Sequence, residues 1–183
     1  MRAGAALYAG GYKPELRSDS MNNHEAVNPK QKHKHLRRLA RIWVADPVYF
    51  ITTCADNRKP LLACREVADV LLDVWRESSA RYGWEIGAYV IMPDHVHFFC
   101  RATAKARSLS SFVGQWKEWT SKRIVHGLGY SSPVWQREFF DHVLRTSESY
   151  GEKWNYVRDN PVRAGLVARA EDWPYHGHVD FQL

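Results

Sequence analysis

The stretch Ile91-Met92-Pro93-Asp94-His95-Val96-His97-Phe98-Phe99-Cys100 restricts the fold more than any other part of this chain. Pro93 and Asp94 are turn residues between two apolar runs, so a strand over 84–92 is predicted to enter and a strand over 95–101 to leave. Side chains alternate along a strand, which puts His95 and His97 on one face and Val96 and Phe98 on the other. Residues i and i+2 lie roughly 6.6 Å apart along a strand, and metal–nitrogen bonds are about 2.0–2.1 Å, so a divalent ion fits between two such imidazoles. Spacing alone does not decide the matter, because His33-Lys-His35 and His176-Gly-His178 repeat it in polar, basic or glycine-containing surroundings. The apolar strand sets the 95/97 pair apart, since a buried polar group needs a hydrogen-bond partner or a metal. On the residues alone two readings stay open: a metal-binding pair, or two strand histidines that are hydrogen-bonded or face water.

The remaining elements arrange themselves around this hairpin. Val48 to Cys54 is a β-branched and aromatic run closed by turn residues, hence a first strand. Pro60 suits a helix start, and Val67, Val70, Leu71, Val74 and Trp75 follow the spacing of one buried helical face that ends near Tyr82-Gly83. Leu109, Phe112, Val113 and Trp116 mark a second amphipathic helix, whose other positions include Lys117, Lys122 and Arg123. Gly127 and Gly129 break it, and residues 134–144 supply a further strand or bent hairpin. The order βαββαβ predicts an α+β fold of the ferredoxin-like, split-βαβ kind: an antiparallel sheet with two helices on one face and the other face open for a site. A C-terminal helix over 147–160 follows, N-capped by Ser147 and stopped by Pro161. Tyr150, Trp154 and Val157 share a narrow arc of that helix, whereas Tyr156 lies about 120° away, with Lys153 and Asn160 beside it.

A length of 183 residues accommodates one domain with a sizeable core plus an arm. The expected division is a flexible basic arm over 1–40, a catalytic domain over 41–176 and a tail over 177–183. Hydrophobic residues at 45% and aromatics at 13% exclude a disordered chain. A net charge of +6 with a pI near 9.3 favours a polyanionic partner, of which nucleic acid is the commonest. No apolar run approaches the roughly 18 residues of a membrane span, and the opening is too short for a signal peptide, so a soluble, cytoplasmic protein with no membrane partner is expected. The three cysteines form no C-x-x-C pair, which argues against a disulfide framework or zinc ribbon.

Two strand histidines, a helical tyrosine and a basic body point to phosphodiester transesterification. In that chemistry a phenolate attacks phosphorus, a covalent phosphotyrosine forms and a 3′-hydroxyl is freed. A phenol with an ordinary pKa near 10 is a poor nucleophile at neutral pH, so a metal or Lys153 must supply positive charge beside it. Asn160 stands at i+4 from Tyr156, from where its amide oxygen can reach the same ion; before Pro161 it can equally cap the helix end. Three rivals fit the same elements: a binding module that stacks bases on Phe98 and Phe99 without cutting, a phosphoesterase that uses water, and an inactive relative retained for DNA binding.

Three motifs in order carry a resemblance: Pro93-Asp94-His95-Val96-His97-Phe98; Val134-Trp135-Gln136 with Phe140-Asp141-His142-Val143-Leu144-Arg145; and Tyr156-Val-Arg-Asp-Asn160-Pro161-Val-Arg-Ala-Gly165. The stretch from about Val44 to Tyr175 resembles the REP-associated tyrosine transposases, HUH single-strand nucleases with one catalytic tyrosine. The resemblance implies Tyr156 as nucleophile, His95 and His97 as the metal pair, Asn160 as a third ligand, and magnesium or manganese as the ion. It also implies single-stranded hairpin DNA as partner and a monomer rather than a dimer. Lys117, Lys122, Arg123, Lys153, Arg158 and Arg163 are the expected nucleic-acid contacts, and Asp141 with His142 an expected hydrogen-bonding pair. The basic arm lies outside the resemblance and residues 173–177 match it only loosely, so neither a target sequence nor its protein contacts are implied.

Overall fold

The turn at Pro93-Asp94 closes a tight hairpin, in which the Met92 amide donates to the His95 carbonyl at 2.8 Å. It joins β2 (Trp84–Ile91) to β3 (His95–Ala102) in a computed structural model that describes residues 46–144 and 147–182. The arm expected over 1–40 lies outside the described residues. Strand β1 (Val48–Cys54) pairs with β3 on one side and with β4 (Phe140–Leu144) on the other, and β5 (His176–His178) pairs with β2. The sheet order is β4-β1-β3-β2-β5 with every pairing antiparallel, so the expected ferredoxin-like α+β sheet is found with one added edge strand.

Among the described residues there are five α-helices: α1 (Arg65–Arg76), α2 (Ser78–Tyr82), α3 (Leu109–Lys122), α4 (Ser147–Arg158) and α5 (Asn160–Arg163). Helix α1 starts five residues after Pro60, because the intervening backbone is tied to the hairpin by the Leu62 amide donating to the Pro93 carbonyl at 2.8 Å. Residues 134–139 are not a continuous strand; Trp135 makes an isolated bridge to Ala55 before β4 begins. Nor does Pro161 stop the last helix. Helix α4 already ends at Arg158, and Pro161 sits in the first turn of α5, where its missing N–H costs nothing.

Both faces of the sheet are covered, contrary to the open face expected from two helices alone. On one side Ile51, Ile91, Val96 and Phe98 pack against Val67, Leu71 and Trp75 of α1 and Phe112 and Trp116 of α3. Trp75 and Trp116 stack there at 5.3 Å with planes 6° apart. On the other side Phe50, Val90, Met92 and Phe99 pack against Tyr150 and Val157 of α4 and against Trp173 and Phe181. The stripe Tyr150, Trp154, Val157 is thus a core stripe, as its spacing predicts. Ile86 and Tyr89 belong to the same side although three residues apart, because the β2–β3 register shifts between them. Residues 177–182, expected as a tail, are built in: 177 and 178 lie in β5, the Asp180 carboxylate accepts the Ile86 amide at 2.7 Å, and Phe181 is buried. Among the described residues no helix is long and apolar enough to cross a membrane.

Candidate functional site

Strand register brings the two histidines beside the end of β1, with Thr52 opposite His97 and Cys54 opposite His95. The imidazole centroids are 4.7 Å apart and the rings nearly perpendicular at 82°. His95 Nδ1 lies 2.6 Å from Asp94 Oδ1, and the carboxylate also receives Arg58 Nε at 3.0 Å. A carboxylate accepts, so Nδ1 of His95 carries the proton and Nε2 keeps a free lone pair. His97 Nδ1 lies 2.8 Å from Thr52 Oγ1, and the Phe50 ring stacks on His97 at 5.3 Å. Burial, followed by the positive charge of His95, Lys153, Arg58 and Arg163, pushes the His97 pKa down to about 3, so this ring is neutral at physiological pH. Two imidazoles, each with Nδ1 held by an oxygen partner, are a donor set suited to a divalent ion through Nε2. Among the described residues no group of three or more His, Cys, Asp and Glu is placed to hold a metal.

Tyr156 is 60% exposed on α4, on the side away from the Tyr150 stripe. Its ring stands between two cations: Lys153 Nζ is 5.6 Å and the Arg163 guanidinium carbon 4.1 Å from the centroid. The same Lys153 ammonium lies 4.7 Å from the Phe50 ring, which in turn stacks on His97. Asn160 is the first residue of α5, not a continuation of the tyrosine helix, and its side-chain oxygen accepts from Arg163. Arg163 also donates to the Tyr156 carbonyl at 2.7 Å and so bridges the break between the helices.

A profile of the family described as "Transposase IS200 like" matches residues 44–159, which include His95, His97 and Tyr156. This chain belongs to the IS200-like transposase family. Its relatives include the REP-associated tyrosine transposase of Escherichia coli (strain K12), 28% identical over 138 residues, covering 74% of this chain and 78% of the relative. The ISDra2 transposase TnpA of Deinococcus radiodurans is 34% identical over 87 residues, which is 48% of this chain and 61% of that one. A solved REP-associated tyrosine transposase bound to a REP hairpin shares the fold, with a TM-score of 0.60 at 24% identity over 77% of this chain and 82% of the other. The resemblance read from the three motifs is borne out by these matches.

In this transposase the six expected phosphate contacts do not form one surface. Lys153 and Arg163 converge on Tyr156, and Arg158, on the same helix as Lys153, lies 3.8 Å from Asp159. Lys122 and Arg123 belong to the layer on the opposite side of the sheet, paired with Glu118 at 2.6 Å and with Asp73 at 2.8 Å. Lys117 is a correction. It is buried, and its ammonium donates to the carbonyls of Gln136, Arg137 and Glu138, so it supports the 134–139 segment instead of meeting a phosphate. Asp141 and His142 are successive residues of β4, where side chains alternate between the two faces: Asp141 registers with Ile51, and exposed His142 with Phe50. Four residues around the histidines, three in contact with a ring and Arg58 in contact with Asp94, carry no local signal of the role. Thr52 and Phe50 read as ordinary strand residues, Asp94 as a turn residue, and Arg58 as a loop cation.

Proposed function

We propose that this transposase is a metal-dependent single-stranded DNA endonuclease and strand transferase that acts on hairpin DNA through a covalent phosphotyrosine at Tyr156. The observation that carries the reading is the position of Lys153. Its ammonium stands over both the Tyr156 ring and the Phe50 ring that stacks on His97, which joins the tyrosine and the histidine pair in one cationic patch.

His95 and His97 would hold magnesium or manganese, and Asn160, whose side-chain oxygen now accepts from Arg163, would supply the third ligand. When bound, such an ion supplies positive charge to a non-bridging phosphate oxygen and orients the scissile bond. Lys153 and Arg163 offset the negative charge of the attacking phenolate and of the phosphate beside it. Tyr156 Oη forms a bond to phosphorus, the bond from phosphorus to the 3′-oxygen breaks, and that oxygen leaves with a proton as a 3′-hydroxyl. Attack by a 3′-hydroxyl on the phosphotyrosine reverses the step and joins strands. The partner is single-stranded hairpin DNA, a reading supported by a solved relative bound to a REP hairpin; the protein is proposed to act as a cytoplasmic monomer. A base-stacking module built on Phe98 and Phe99 is disfavoured, because neither ring is exposed at all.

The test is incubation of the full chain with a pool of hairpin-bearing single-stranded DNAs and Mn²⁺, followed by denaturing electrophoresis and mass spectrometry. An adduct on Tyr156, absent from Tyr156→Phe and His95→Ala, is expected. Cleavage without an adduct would assign the attack to water, and binding without either would reduce the protein to a DNA-binding module.

A further inference from the structure

Arg58 belongs to no motif of the sequence, yet it touches the residues on both sides of the histidine site. Its Nε lies 3.0 Å from Asp94 Oδ2, while Asp94 Oδ1 lies 2.6 Å from His95 Nδ1. Its Nη1 donates to Cys54 Sγ at 2.8 Å, and Cys54 is the register partner of His95 on the neighbouring strand. One guanidinium therefore ties the end of β1 to the turn that begins β3.

The backbone beneath it is unusual. Asn57 and Arg58 are successive non-glycine residues in the left-handed region, with φ of 50° and 56°. Such conformations are sparsely populated and persist where surrounding contacts impose them. Here the imposing contacts are the Ala55 amide on the Asp94 carbonyl at 2.8 Å, the Asp56 amide on the Val134 carbonyl at 2.8 Å and the Arg58 amide on the Ala55 carbonyl at 3.0 Å. Two of these three anchor the loop to the hairpin turn and to the 134–136 segment, so the strained turn aims the Arg58 side chain back at Asp94.

Stability is a poor explanation for this arrangement. The Arg58 side chain is 53% exposed and that of Asp94 27%, and exposed ion pairs add little to folding. Orientation is the better one. A carboxylate pinned on its far oxygen offers its near oxygen at one fixed angle, which selects one imidazole tautomer and one ring orientation. A planar guanidinium reaches two acceptors in diverging directions, which an ammonium on a flexible stem does not.

We infer that Arg58 is a positioning residue: through Asp94 it holds the His95 proton on Nδ1 and presents Nε2 of that ring to the metal. The inference rests on the metal-binding reading of His95 and His97 given above, and the experiment separates the two. Long-range proton–nitrogen NMR on the metal-free full chain at pH about 8, where imidazoles are neutral, reads the His95 tautomer directly. The wild type is expected to show Nδ1–H with an unprotonated Nε2, and Arg58→Met a mixture of both tautomers. Asp94→Ala should match Arg58→Met, and the double variant should add nothing to either. Titration with Mn²⁺ alone should show affinity falling at least about tenfold in Arg58→Met and partly recovering in Arg58→Lys. An unchanged thermal midpoint establishes that each variant is folded. Arg58→Met with the wild-type tautomer and wild-type Mn²⁺ affinity overturns the inference. A wild type that takes up no Mn²⁺ at the histidines overturns the metal reading, while the tautomer spectra still decide the role of Arg58.

Discussion

Thr52 and His97 face each other across β1 and β3 with the threonine hydroxyl 2.8 Å from the imidazole Nδ1. When Nε2 faces a metal, Nδ1 holds the proton and Thr52 Oγ1 accepts it. Thr52→Val keeps the shape and removes the acceptor. Calorimetric titration should show Mn²⁺ binding weakened about tenfold or more, and urea unfolding a loss of about 1–3 kcal/mol. Thr52→Ser should recover most of the affinity.

Lys117 sets a different test, because a cation named from its place on a helix proves to be internal. Lys117→Met removes the donor from three backbone carbonyls while filling similar space. Chemical denaturation should show about 1–3 kcal/mol of destabilisation, with single-stranded DNA affinity per folded molecule unchanged.

Cations beside the tyrosine should behave in the opposite way. Lys153→Ala removes charge from the patch that holds Tyr156 and lies near His97, at a position outside the packed core stripe of α4. Fluorescence anisotropy on a hairpin with a single-stranded flank should show weaker binding, with the salt dependence of log K reduced by about 0.7 for one lost phosphate contact. Lys122→Ala, on the far layer, should leave both quantities as in the wild type.

His178 predicts the response of the sheet edge to acid. Burial, and next the charge of His176, lower its pKa below the ordinary value of about 6.5, and its ring sits edge-on to Trp154 at 5.4 Å. A lowered folded-state value means that the unfolded chain binds the proton first. The contribution of His178 is therefore complete above pH about 6.5 and is lost as pH falls from there toward its folded-state pKa. Comparison of His178→Phe with the wild type by thermal unfolding at pH 8 and pH 5 should show a smaller drop in the variant.

Much of the fold was legible because period-two alternation and period-3.6 stripes are local signals. His95 and His97 on one face, Val96 and Phe98 on the other, and the Trp75 and Trp116 faces of α1 and α3 all follow from them. Helix boundaries were less legible, since the start of α1 depends on Leu62 bonding to Pro93 and the end of α4 on a break at Asp159 that one proline does not specify. Coverage of the second face could not be read from the βαββαβ order, because α4 and the C-terminal segment come after it. Within the site, the chain shows which residues carry chemistry but not which residues hold them. Arg58 reaches Asp94, and Lys117 reaches the carbonyls of 136–138, only through tertiary contacts that leave no periodicity behind.

Strand β5 is three residues long, too short for its hydrogen bonds alone to distinguish one alignment on β2 from the next. Shape makes the distinction. A methyl added at Gly87 in β2 would come within 2.8 Å of the Phe181 ring, and one at Gly177 in β5 within 2.9 Å of the Tyr89 hydroxyl. Each strand thus offers a notch to an aromatic side chain from the other segment, and the two notches work like the wards of a lock. A slip by a single residue would withdraw both aromatic rings at once, and with them the placement of His178 against Trp154 on the helix that carries Tyr156. The far end of the chain, remote in sequence from the two histidines, therefore acts as the gauge that sets where the tyrosine helix rests.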